Sequence, residues 1–216
     1  NTVNPQTLYA KVENDTTGCV SYATVTLDVT ATDIGNAGLE TCDDDYDGKA
    51  EFTLSDANPA ILQNMPAGLD VAFYRTLEDA QLEQNQLPDQ YTNETPYSQV
   101  IYIRVENNND CFGIANMTIS VNPLPAYNPV ADQEFCSDTP NQNTVDLSVY
   151  TSTILGSQNA ANYTITYHDS QANADSGQSP INGPFTTQSN PDTIYVRVED
   201  NTTHCFITSI NFDLLF

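Results

Sequence analysis

One six-residue segment occurs three times in this chain: Leu8-Tyr9-Ala10-Lys11-Val12-Glu13, Ile101-Tyr102-Ile103-Arg104-Val105-Glu106 and Ile194-Tyr195-Val196-Arg197-Val198-Glu199. A polar stretch and a cysteine follow each copy, at Cys19, Cys111 and Cys205. The tyrosines recur in steps of 93 residues, so the chain is a tandem array, and internal repetition constrains the architecture before any other signal. A unit of about 93 residues is close to the size of an immunoglobulin-like sandwich and long enough to bury a core of its own. Within the segment Ile101, Ile103 and Val105 alternate with Tyr102, Arg104 and Glu106, the period of a half-buried strand whose aliphatic side faces the core. The predicted fold class is all-β, a series of immunoglobulin-like β-sandwich repeats.

A second alternating run follows each cysteine, Ile114 to Val121 and Ile207 to Leu215, after polar stretches at 107–110 and 200–204 that read as turns. Each repeat is therefore expected to end in an antiparallel hairpin, equivalent to strands F and G of a sandwich. Upstream, Val71 to Tyr74 matches Ile165 to Tyr167 and reads as a central strand, while Phe52 to Ser55 matches Val145 to Ser148 and reads as an early one. Ser55 to Leu62 reads as a helical turn with Ser55 or Asp56 as its N-cap. Leu77 to Gln86 is expected to hold only a short turn of helix. Prolines 123, 125 and 129 favour an extended, semi-rigid junction. The resulting division is 1–29 as the final hairpin of a preceding repeat, 30–122 as one repeat and 123–216 as another. Asn4 to Tyr9 matches Asn190 to Tyr195, two-thirds of the way through a repeat. A section of a longer array is the favoured expectation; the alternative is that residues 1–29 complete a sheet in a neighbouring molecule.

The chain has 5 basic and 29 acidic residues, a formal charge of −24. That balance excludes nucleic acid and anionic membrane surfaces as partners, since both are bound by basic patches. No apolar run approaches the length of a membrane-spanning helix, so no membrane insertion is expected. No Ser/His/Asp set or phosphate-binding loop is present, and His168 and His204 align with Arg75 and Gly18, so neither histidine marks a recurring site. The chain does not read as an enzyme. Lys11, Arg104 and Arg197 share one repeat position; cross-strand pairing with carboxylates such as Glu106 or the neighbours of Glu199 is the expected role, ahead of ligand contact along the array.

Two groups of residues carry candidate chemistry. The five cysteines occupy repeat-locked positions without a C-x-x-C, which points to structural disulfides in an oxidising compartment. Pairing within repeats joins Cys42 to Cys111 and Cys136 to Cys205, both separated by 69 residues. Pairing across repeats joins Cys19 to Cys42 and Cys111 to Cys136. The equal spacing favours the first arrangement. Separately, Asp43-Asp44-Asp45-Tyr46-Asp47-Gly48 matches the start of an EF-hand loop. Asp43, Asp45 and Asp47 fall at ligand positions one, three and five, with the Lys49 carbonyl at seven and Glu51 at nine. Leu54 stands where the closing glutamate belongs, so the expectation is weak Ca2+ binding, with a solvated acidic turn as the alternative. The other repeat has Asn141-Gln142-Asn143 in this region and no such motif.

The acidic loop after Cys42, the Phe-x-Leu strand at Phe52, the tyrosine-bearing strand and the run Ile194 to Cys205 together resemble repeats of very large surface proteins of Bacteroidetes. The resemblance spans essentially the whole chain and is strongest over Leu39 to Leu54 and Ile194 to Cys205. Those proteins are exported by the type IX secretion system and include gliding-motility adhesins. The resemblance implies an extracellular, cell-surface location and a role in attachment or gliding, as an adhesin stalk or adhesive fibre. Neighbouring repeats of the same chain are the expected partners. Two alternatives are a lectin-like module binding surface glycans, with tyrosines such as Tyr9, Tyr102 and Tyr195 as stacking platforms, and a filament subunit that assembles with other copies by strand exchange.

Overall fold

A computed structural model of the chain describes residues 6–27, 34–107, 112–136 and 143–215. Its described residues fall into two compact units. One takes in Ala57–Leu87 and Tyr102–Met117 with the N-terminal hairpin; the other takes in Gly38–Asp56, Pro88–Ile101 and the chain from Thr118 onward. The fold is all-β, with two four-stranded sheets that repeat at the interval of the sequence motif.

The N-terminal hairpin pairs β1 (Gln6–Glu13) with β2 (Val20–Leu27) antiparallel, Ala10 opposite Ala23. In the first repeat β3 (Gly38–Cys42) and β4 (Glu51–Thr53) precede two short helical turns, a 3-10 turn at Leu54–Ala57 and α1 (Asn58–Ile61). Then come β5 (Asp70–Tyr74), α2 (Leu77–Leu82), β6 (Gln90–Thr92), β7 (Ser98–Glu106) and β8 (Phe112–Asn122). The sheet order is β3-β8-β7-β5, while β4 pairs with β6. Strand β3 runs parallel to β8, and Cys42 lies opposite Asn122, at the far end of β8.

The second repeat has the same plan. After β9 (Gln133–Glu134) and β10 (Thr144–Val145) come a 3-10 turn at Leu147–Tyr150 and α3 (Thr151–Leu155). Next are β11 (Tyr163–His168), α4 (Gln171–Ser176), β12 (Phe185–Thr186), β13 (Asp192–Asp200) and β14 (Phe206–Leu215). The sheet order is β11-β13-β14-β9, with β10 paired to β12 and β9 parallel to β14.

Alternation explains these strands. Ile101, Ile103 and Val105 are buried, as are Ile194, Val196 and Val198, so the aliphatic face is the core face. The second core adds Ile207, Ile210, Phe212 and Leu214, and the Tyr150 ring tilts against Phe212 with centroids 5.0 Å apart. A slip in β13–β14 pairing between Val196 and Val198 shifts the β14 pattern by one residue, which is why Ile207 and Ile210 both point inward. The turn before β14 is held by Asp200, whose carboxylate accepts from the Thr202 and Thr203 amides at 2.8 and 3.0 Å. Of the corresponding turn in the first repeat, only Asn107 is among the described residues.

Two local readings change. The strand at Val71 to Tyr74, and its counterpart β11, lie at sheet edges; the central positions belong to the two terminal strands of each repeat. Neither Ser55 nor Asp56 caps the following helix, since the N-cap of α1 is Ala57 and bears no side-chain bond. The free amide of Ser55 is satisfied instead by Asp89, whose carboxylate accepts from Ser55 N–H at 2.8 Å and from its hydroxyl at 3.2 Å. The segment at Leu77 does form one short helix, capped by Thr76 accepting from the Asp79 amide at 3.0 Å.

Candidate functional site: the inter-repeat bridge and the aspartate loop

Cys42 closes β3 and the next six residues form the acidic loop. Asp43 is buried, and its carboxylate accepts from the amides of Asp45, Tyr46 and Gly48 at 3.3, 2.9 and 3.0 Å. Asp45 accepts from the Asp47 amide at 3.1 Å and Asp47 from the Lys49 amide at 2.7 Å. Gly48 has φ +74°, and a Cβ there would stand 2.9 Å from the Pro96 side chain, so the turn requires glycine twice over. Buried Asn93 anchors the loop from across the sheet, donating to the Gly48 and Thr95 carbonyls at 2.9 and 2.8 Å and accepting from the Ala50 amide at 2.8 Å.

This stack of turns brings ligand atoms of Asp43, Asp45 and Asp47 within 4.8 Å of one another, a group that can hold a metal ion. Glu51 is exposed on β4 opposite Thr92 and is not one of the three; the Lys49 side chain is also exposed. Asp45 and Asp47 are exposed and Asp43 is not, so an ion here would be held from one side with solvent on the other.

Cys42 is bonded to Cys205, with Cα atoms 5.5 Å apart and a sequence separation of 163. This differs from both arrangements expected from spacing. The physical reason lies in β3 running parallel to β8. Cys42 stands beside Asn122, ten residues along β8 from Phe112, and at ~3.3 Å per residue that places it about 33 Å from Phe112, at the opposite end of the strand. Cys205, which precedes β14 of the second repeat, is the late cysteine that reaches Cys42; it is fully buried, and both halves of the bridge lie in the larger unit. Cys111 lies outside the described residues, and Cys136 and Cys19 are free and exposed. Equal spacing hid this pairing, because among the described residues it is a single bond and leaves no repeated interval to match.

The recurring cations are structural. Arg104 is buried on the face of β7 opposite the aliphatic core face. Its Nη1 donates to the Ala80 carbonyl at 3.1 Å, near the end of α2, and its guanidinium pairs with Glu83 and with Glu106, the latter at 2.9 Å. Arg197 repeats this, donating to the carbonyls of Ala174 and Asp175 at 3.3 and 3.1 Å and to Glu199 at 2.8 Å. Its guanidinium carbon also lies 3.4 Å from the Phe206 ring centroid. Burial would raise the Glu199 carboxyl, but hydrogen bonds from Arg197 and His204 and the charge of both hold it below the usual carboxylate range. Carboxylate pairing is therefore what these arginines do, but not across strands as expected: Glu106 and Glu199 lie on the arginines' own strands, two residues along, because i and i+2 share a face. Lys11 makes the same i,i+2 pair with Glu13 at 2.7 Å, exposed.

A groove of about 560 Å³ lies beside the bridge in the larger unit; its lining includes Asp44, Tyr46, Gln171, Asp175, Phe206 and Thr208. No helix among the described residues is long and apolar enough to cross a membrane.

The family described as "FIDD: Flavobacterium inter-domain disulphide bond domain" matches residues 38–125 and again 132–216. No curated protein matches the chain. Solved structures similar to it include Sidekick-1 immunoglobulin domains 1-4, at 8% identity and a TM-score of 0.24 over 98% of this chain and 69% of that one. The human desmocollin-1 ectodomain matches at 9% identity and 0.23, over 97% and 43% of the two chains. Mouse clustered PcdhgC3 EC1-3 matches at 15% and 0.22, over 100% and 78%.

Proposed function

The chain belongs to the Flavobacterium inter-domain disulphide bond domain family, and from that premise we propose that it is part of a cell-surface stalk or adhesive fibre. In this reading residues 30–122 and 123–216 are successive modules, and 1–29 is the closing hairpin of another. The chain is non-catalytic, and its role is mechanical. The observation that carries this is the Cys42–Cys205 bond, which ties one repeat to the next. A covalent tie between modules in series limits bending and extension, which a stalk needs and a soluble enzyme does not. Disulfides persist in oxidising surroundings, which supports an extracellular location. The charge of −24 keeps such a fibre soluble and self-repelling. Export by the type IX system and a part in gliding rest on sequence resemblance.

Ca2+ is the proposed ion of the Asp43, Asp45 and Asp47 group, since hard carboxylate oxygens on a glycine-bearing turn suit it. Tb3+ bound there would be sensitised by Tyr46, which is exposed within the same loop. Saturable Tb3+ luminescence displaced by Ca2+ and lost in Asp45→Asn is expected. Absence of the signal at millimolar metal would remove the ion from the account.

A second reading, binding of surface glycans, is favoured by the groove, where exposed Tyr46 and Phe206 can stack on sugar rings beside the polar Asp44 and Gln171. A glycan array separates the two. The stalk predicts no saturable binding; hits abolished by Tyr46→Ala would establish the lectin-like reading instead.

A further inference from the structure

Helices α2 and α4 are built alike and end differently. Thr76 and Ser170 cap their starts by accepting from the Asp79 and Asn173 amides, and each helix closes on a residue in the left-handed region, Glu83 at φ 55° and Gly177 at φ 65°. The arginine of the neighbouring strand then donates to the equivalent carbonyl, Arg104 to Ala80 and Arg197 to Ala174. Beyond that carbonyl the two repeats part. Nη2 of Arg104 is paired with two carboxylates, Glu83 from the helix end and Glu106 from its own strand. Gly177 brings no side chain to Arg197, whose Nη2 donates to Glu199 alone among the described residues. A guanidinium has five N–H donors; Arg197 commits Nε to Glu199 and Nη1 to the Ala174 and Asp175 carbonyls, so the second Nη2 proton remains. Its side chain is 12% exposed, against 4% for Arg104.

A pocket of about 260 Å³ lies against Arg197, lined also by Gly177, Glu199, Thr164, Thr166 and Ser176. We infer that this pocket receives the carboxylate of a glutamate side chain from a separate acidic polypeptide, in the place that Glu83 takes beside Arg104. The first repeat shows that the arginine accommodates a second carboxylate next to the one on its own strand. Both contacts are charge-assisted hydrogen bonds, the strong class. The hydroxyls around the pocket suit a peptide. Thr164 Oγ1 donates to the Asn201 side chain at 2.6 Å and Ser176 Oγ to the Ala172 carbonyl at 2.8 Å, so each keeps lone pairs for the N–H groups that flank a glutamate.

The test follows ¹⁵N NMR signals of the 216-residue chain during titration with glutamate blocked as its N-acetyl methylamide. Saturable shifts of the Gly177 amide and Arg197 Nε are expected, with the blocked glutamine weaker by about tenfold or more, because it lacks the charge. Glu83 already holds the left-handed conformation of residue 177, and a Cβ there would stand 3.6 Å from Arg197 Nε, an ordinary contact. Gly177→Glu should therefore fold and abolish the shifts by supplying the carboxylate from within. Conversely, Glu83→Gly should add a second glutamate-dependent set at Arg104, and this variant decides the matter alone if Gly177→Glu disturbs the fold. No saturation at tens of millimolar, equal binding of the glutamine, binding that survives in a folded Gly177→Glu, or no new set in Glu83→Gly would each overturn the site. Tighter binding of glucuronate than of the blocked glutamate would overturn the polypeptide as its occupant in favour of an acidic sugar.

Discussion

Arg104 projects from the face of β7 opposite the core, and its guanidinium is surrounded by the Ala80 carbonyl and the carboxylates of Glu83 and Glu106. Truncation would leave that carbonyl and those carboxylates without their cation, so Arg104→Ala is expected to lose about 2–4 kcal/mol in urea unfolding. Arg104→Lys would recover part of this, because a single ammonium cannot reach all three partners in the fork geometry of arginine. A second residue gives a pH signature. His168 is buried, with Nδ1 2.9 Å from the Gln178 carbonyl and Nε2 2.8 Å from the Thr166 hydroxyl. Burial lowers its pKa from 6.5; the Gln178 carbonyl and Asp169 oppose that shift and Arg197 adds to it. The unfolded chain then takes up the proton first as pH falls, so this contribution is complete above about pH 6.5 and declines as pH drops toward the folded value. The difference in stability between the native chain and His168→Gln should shrink over that window. A pH-independent difference would show that His168 contributes packing only.

The two described hairpins share a motif and differ in cover. In β13 the positions Ile194, Val196 and Val198 are sealed in a core, whereas the equivalent Leu8 and Val12 of β1 are 43% and 63% exposed. A two-stranded hairpin by itself is marginal in water. Hydrogen exchange should therefore be faster at the amides of 8–12 than at 194–198 by orders of magnitude; equal protection would mean that β1 and β2 are covered in solution. Alternation made the aliphatic face of these strands legible, because period two is a local signal. The opposite face was not, since Arg104 reads as a solvent-facing cation and the six residues of α2 that cover it carry too little periodicity to show which way they pack. Capping of Ser55 was hidden for a related reason: its acceptor, Asp89, comes from 34 residues away.

At the scale of the whole molecule the period of 93 residues made the tandem β-architecture readable, and the run of aspartates marked the group that the loop draws together. The disulfide pairing was not readable, because it depends on which end of β8 the parallel strand β3 reaches, a matter of topology that cysteine spacing does not encode. Closing 163 residues with one bond stabilises by about 5 kcal/mol in the chain-entropy treatment. Its larger consequence is mechanical, since force applied at the chain ends bypasses everything between Cys42 and Cys205. Pulling single molecules by their ends tests this. With the bond intact, complete unfolding should lack the contour of those 163 residues, and adding a reductant should release roughly 550 Å more at ~3.3–3.6 Å per residue. An unfolded length that is the same with and without reductant would contradict the account.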